Sequence, residues 1–165
     1  DFIPPKGSAM SKNLITVSSL PTYFTFTNTT EPRKGIAYCV RKGKGKPFVK
    51  DHTNDILIDN MSLREIAEIF NKVEMFISYD PATTFSLFSL LCHCPSIIIL
   101  GDNETKETYR PEVESNVHYA YSIEESNKID WEEHFKWAET RMSKSAAHSS
   151  DCVKLYIEET QNHFK

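Results

Sequence analysis

Long apolar runs are missing from this 165-residue sequence. No stretch approaches the roughly 18–20 consecutive apolar residues that a membrane-spanning helix needs. It shows no basic-then-apolar opening of the signal-peptide type. Positive charge is not in excess either: the formal net charge is −4. That argues against a general nucleic-acid binder, whose affinity rests on neutralising phosphates. No internal repeat is present. Cysteine is limited to Cys39, Cys92, Cys94 and Cys152, mostly inside apolar segments. These are expected to be buried free thiols in a reducing, cytoplasmic compartment rather than disulfides.

What remains is the composition of a globular protein, 39% hydrophobic and 25% charged, long enough for one domain with a real core. Residues 1–10 (DFIPPKGSAM) differ in character and read as a cloning-derived or disordered tail. The domain is expected over 11–165.

The most informative stretch is Val73–Leu100, VEMFISYDPATTFSLFSLLCHCPSIIIL. Met75–Tyr79 is a β-favouring run, and Asp80–Thr84 breaks it with turn residues. Phe85–Leu91 is apolar almost all round, as in a buried helix. Pro95 ends it, and Ser96–Leu100 is a second apolar strand. This strand–helix–strand unit predicts parallel strands covered on both faces. Around it, Gly35–Val40 and Ile56–Ile58 read as further strands, with Leu14–Val17, Tyr23–Phe26 and His118–Tyr121 as weaker candidates. Ser62-Leu63-Arg64-Glu65 is a capping box opening a helix to Lys72. Ile123–Ser126 suggests one helical turn. Trp131–Met142 and Asp151–Phe164 read as two separate helices. The fold class is therefore α/β: a Rossmann-like parallel sheet flanked by helices.

Charge is unevenly placed. Arg33–Lys50 carries seven Lys or Arg and no acid, whereas Asp102–Glu133 carries ten acids against three bases. The basic block follows a strand, so it belongs at the C-terminal edge of the sheet, where open α/β sheets bind ligands. The Thr83/Thr84 helix start follows another strand. Together Arg41, Lys42, Lys44, Thr83 and Thr84 suit a diphosphate: a guanidinium fork, mobile ammonium groups, hydroxyls and helix N–H groups. A basic loop that only protects an edge strand is the structural alternative. Ser86 faces the same crevice in this reading. Asp80 is expected mainly to cap the helix, with a ligand hydroxyl or base role as alternatives, and Tyr79 either stacks on a base or packs. Cys92-His93-Cys94 lacks the second pair that a tetrahedral zinc site requires, so no metal is expected. His118 and His134 look isolated. Trp131 and Trp137 look like packing residues.

Tyr79-Asp80-Pro81-Ala82-Thr83 through Leu91-Cys92-His93-Cys94-Pro95-Ser96 resembles the C-terminal, nucleotide-sugar-binding domain of GT-B glycosyltransferases of the bacterial surface-polysaccharide type. Val40-Arg41-Lys42-Gly43 is similar to a strand-end basic motif of that branch. Val117–Glu125 (VHYAYSIEE) resembles its later aromatic, acidic segment, and CVKLYIEETQNHF its closing helix. The resemblance covers about Gly35–Phe164. It implies half of a GT-B fold and metal-independent transfer of a sugar from a nucleotide donor to a glycan acceptor. No cofactor is implied beyond the nucleotide-sugar substrate. Arg41, Lys42 and Thr83 would hold the donor phosphates, and a second, N-terminal domain or partner subunit would bring the acceptor and the catalytic base. No catalytic residue is assigned, and this chain alone is expected to be inactive.

The sequence departs from that family pattern at His93 and Ser122, where glycines are usual, and at Phe88, where a ribose-binding acid is usual. These departures support an alternative, a non-catalytic α/β interaction module without donor. A response-regulator-like phosphate site would need acids after the first strand, where this chain has bases.

Overall fold

A computed structural model describes residues 22–28, 30–109 and 118–163. The expected tail and the Leu14–Val17 strand lie outside the described residues. The chain divides into two compact units, and the sheet lies wholly within Pro21–Glu139.

The strands are β1 (Ile36–Cys39), β2 (Ile56–Leu57), β3 (Met75–Ser78) and β4 (Ser96–Ile98), and the helices are α1 (Leu63–Phe70), α2 (Phe85–Leu91), α3 (Ile123–Ser126) and α4 (Trp131–His163). All strand pairs are parallel, in the order β2-β1-β3-β4. Ile36 pairs with Met75 and Cys39 with Ser78 in the central pair. This is the α/β, Rossmann-like arrangement read from the sequence. Ala120 adds one parallel bridge to Ile97, so His118–Tyr121 contributes a single bridging residue instead of a strand.

Alternation along the strands sorts their side chains to two faces. Ile77, Tyr79, Ile97 and Ala120 form one buried cluster, against which Ile123, Ile129 and Trp131 pack. On the other face the Phe76 ring lies 4.9 Å from that of Phe70 of α1. Both halves of the capping box are present: Ser62 Oγ accepts from the Glu65 N–H, and Glu65 accepts from the Ser62 N–H.

Two further elements differ from expectation. Tyr23–Phe26 is not a strand. Its neighbourhood is bonded to a side chain instead: Asn71 Nδ2 donates to the Thr25 carbonyl (3.0 Å) and Asn71 Oδ1 accepts from the Thr27 N–H (2.7 Å). Those bonds satisfy backbone groups that a ladder would otherwise use, while Phe24 is buried by stacking on Phe88. The two expected C-terminal helices are one, α4. The serine-rich stretch between them holds no glycine or proline. Ser149 satisfies its hydroxyl on the Ser145 carbonyl one turn back (2.9 Å), which lets a serine remain within a helix. No described helix is long and apolar enough to cross a membrane.

Candidate functional site

The order β2-β1-β3-β4 places a topological switch point between β1 and β3. The connection after β1 leads to one edge of the sheet and the connection after β3 to the other, so a crevice opens where they part. The basic loop and the α2 start leave the sheet on either side of it.

The loop is held firmly. Asp59 accepts from the Val40 N–H (3.0 Å) and the Arg41 N–H (2.9 Å). Arg41 is fixed there at φ 40°, a left-handed conformation that a side-chain-bearing residue keeps only when its surroundings impose it. Arg41–Gly43 is a short 3-10 turn, and Gly43 lies directly on the Tyr79 backbone. A Cβ there would stand 2.0 Å from the Tyr79 carbonyl oxygen. Further along, Lys46 Nζ donates to the Ile99 carbonyl (2.7 Å), beyond the end of β4. The loop thus crosses the ends of β1, β3 and β4 in turn.

Arg41 meets the α2 side of the crevice. Its guanidinium carbon lies 4.9 Å from the Phe85 ring centre, and its Nε is 4.0 Å from Asp80 Oδ2. Lys42 and Lys44 are exposed. Thr83 Oγ1 accepts from the Phe85 N–H (3.3 Å), and Thr84 occupies the N-cap position without a side-chain cap bond. Asp80, expected to cap this helix, instead accepts from the Ala82 N–H (3.0 Å), closing a turn two residues on. Ser86 is not at the crevice surface: it is buried, and its hydroxyl oxygen makes no hydrogen bond. Arg41, Asp80 and the Thr83/Thr84 turn are therefore brought together.

Tyr79 is fully buried and cannot stack on a ligand. Its hydroxyl accepts from the Val49 N–H (3.0 Å) and meets His52 Nε2 at 2.7 Å. His52 Nδ1 lies 2.7 Å from Asp55 Oδ2, which also pairs with Lys50. An ionised Asp55 only accepts, so Nδ1 carries the proton, and in the neutral ring Nε2 accepts from the tyrosine. Burial pushes the Asp55 carboxyl up, but the bonds and charges of Lys50 and His52 outweigh it and hold the group below the usual range. Tyr38 stacks on the imidazole at 4.1 Å. This relay ties the far end of the basic loop to β3. Tyr79→Phe leaves the Val49 N–H and His52 Nε2 unsatisfied, and is expected to lower stability by about 2 kcal/mol. Urea unfolding with an unchanged m-value checks this.

The cysteines of the described residues are free. Burial raises the thiols of Cys39 (to about 11), Cys92 (to about 12) and Cys94, so they stay protonated and unreactive. Cys152 is only half-buried. Among the described residues no group of three or more His, Cys, Asp or Glu is placed to hold a metal ion. His93 turns away from its cysteine neighbours at φ 52°. Its ring lies between those of Phe26 (4.2 Å) and Phe135 (4.7 Å), and Nε2 meets Glu139 at 3.0 Å. That sandwich explains how a histidine sits at a left-handed position that glycine would adopt without strain. His118 and His134 are not isolated: their ring centres lie 5.2 Å apart, and His118 stacks on Trp137 at 4.0 Å.

Sequence reasoning missed Asp59, His52, Arg33 and the close approach of Gly43. Arg33 was one charge of a basic block, yet it is a structural residue, donating to the Phe70, Val73 and Cys92 carbonyls. No protein-family model matches this sequence, and comparison with curated proteins and with solved structures gives no match.

Proposed function

We propose that this chain is the donor-binding part of a metal-independent glycosyltransferase, holding the nucleoside diphosphate of an activated sugar for transfer to a glycan acceptor. The observation that carries the reading is Arg41, whose backbone N–H is held by Asp59 at the switch point while its guanidinium stands over Phe85 at the α2 start. Lys42 and Lys44 flank it with exposed ammonium groups. These groups and the Thr83 and Thr84 hydroxyls would hold the two phosphates. Positive charge at that point also offsets the charge that grows on the leaving nucleotide in the transition state. The acceptor and the catalytic base would come from a second domain or subunit.

Arg41→Ala is expected to weaken nucleoside diphosphate binding by about 1.5–3 kcal/mol, the range for a charged hydrogen bond. Wild-type affinity should fall as salt rises. Calorimetric titration with several nucleoside diphosphates reads both effects.

One observation favours a second reading, a non-catalytic module without donor. Phe88, at the place of the family's ribose-binding acid, stacks on Phe24 at 4.2 Å and serves packing. If no nucleoside diphosphate binds at millimolar concentration, this second reading replaces the first.

A further inference from the structure

The C-terminal half of α4 lies outside the unit that holds the sheet. Its less exposed residues, Met142, Ser145, Ser149 and Cys152, recur every three or four positions and mark one side of the helix. Beside that side runs a second stripe, Ala146, Ser150, Val153 and Ile157, spaced four, three and four apart. All four are exposed and none is charged. Val153 keeps 38% and Ile157 47% of its surface in water. Leu155 is exposed as well, but it lies on the far side of the helix as a single residue, which is ordinary. Alternating spacings of three and four form the seam of a coiled coil, along which one helix packs on another.

Two properties of the stripe decide what fits it. The first is size. Its two small residues come first and its two large ones last. Laid antiparallel on its own copy, the stripe sets Ile157 opposite Ala146 and Val153 opposite Ser150, large on small at every level. Laid parallel, it stacks Ile157 on Ile157 and leaves Ser150 against Ser150. The second is charge. Asp151 and Lys154 flank the stripe on the side away from Ser149. They pair within the helix at 3.4 Å, yet their side chains remain 74% and 68% exposed. In the antiparallel register Lys154 of each copy comes close to Asp151 of the other, so four charges of alternating sign meet about the two-fold axis. Lys144 comes level with Glu158 in the same way. In the parallel arrangement Lys154 faces Ser149, which offers it no charge.

We infer that the C-terminal half of α4 is a self-association surface, on which a second copy of this chain packs antiparallel. Val153 and Ile157 fill the seam, and Asp151 and Lys154 fix its direction. The contact is isologous, since the same residues serve both copies. It is also short, so the dimer is weak and reversible. The inference is independent of the diphosphate reading, because no residue of the basic loop takes part.

The test is sedimentation equilibrium of the full chain, with reductant present so that Cys152 cannot cross-link the copies. A monomer–dimer equilibrium should appear below about 1 mM protein, the range of small interfaces. Ile157→Asp changes an exposed residue and should weaken the dimer about tenfold or more, because it buries a charge in the seam. Circular dichroism should show its helix content unchanged. Lys154→Asp and Asp151→Lys each place four like charges together, so each protein alone should remain monomeric over the same range. Mixed in equal amounts, the two should form a heterodimer of wild-type strength. A wild-type chain that stays monomeric, or a dimer indifferent to Ile157→Asp, overturns the surface. Single charge variants that dimerise like the wild type, or a mixture that stays monomeric, overturn the antiparallel fit and the inference with it.

Discussion

Gly43→Ala is expected to be the most damaging single methyl in the protein. The added Cβ would stand 2.0 Å from the Tyr79 carbonyl oxygen and 2.5 Å from its carbonyl carbon. Both are backbone atoms of the segment leaving β3, so neither can rotate away. Either the 3-10 turn lifts off or the end of β3 moves. Lifting the turn breaks the clamp of Asp59 on Val40 and Arg41 and the Lys46 bond to Ile99. A loss above about 4 kcal/mol is expected, the size reserved for backbone displacement or a broken buried network. Gly45→Ala is the control. It meets nothing within 4 Å and carries only the strain of φ +94°, about 1–2 kcal/mol for an L-residue in that region. Urea midpoints for the pair read the difference directly. Equal midpoints would mean that the loop does not rest on Tyr79.

Arg33→Ala follows closely. The guanidinium donates to the Phe70 carbonyl (2.6 Å) at the end of α1, to the Val73 carbonyl (3.0 Å) in the turn before β3, and to the Cys92 carbonyl (2.6 Å) at the end of α2. The Phe70 and Cys92 carbonyls are the unpaired acceptors that helix C-termini leave, and a cation is favoured there by the helix dipole. One planar fork therefore closes two helices and joins the segment before β1 to both. Its removal should lower stability by about 3–5 kcal/mol, given the strength of charged hydrogen bonds and the partial access of water to the freed carbonyls. Arg33→Lys should recover less than half, because a single ammonium cannot span both helix ends. Thermal unfolding of the three proteins checks the order.

These two residues also show where the sequence was readable. The parallel sheet was legible because each strand is a short apolar run bounded by turn residues, and because Ser62 and Glu65 carry a complete capping signature within four residues. The placement of Arg41 near the α2 start was legible for a related reason: residues that follow neighbouring parallel strands must emerge on one edge. Long-range side-chain tasks were not legible. Arg33 and Arg41 belong to the same run of positive charge, and nothing local says that one is bound to carbonyls of α1 and α2 while the other stands over Phe85. Asp59 and His52 lie in a loop with no periodicity, and their partners are set by the tertiary fold. The break expected within α4 failed because serine counts against a helix only when its hydroxyl competes with the backbone, and Ser149 bonds the turn behind it instead.

The all-parallel sheet also shapes how the chain reaches its native state. No two of its strands are joined by a hairpin, so no strand pair can form from neighbouring residues alone. The central pair, which sets Ile36 against Met75, must close a loop containing all of β2 and α1 before its first ladder bond forms. The entropy of that closure comes first and the contacts that offset it come later. Helices can order locally before that closure, α1 with the help of its capping box, but none of them brings two strands together. Folding of this domain is thus governed by the search that joins β1 to β3, and the crevice between their loops is complete only when that search has ended.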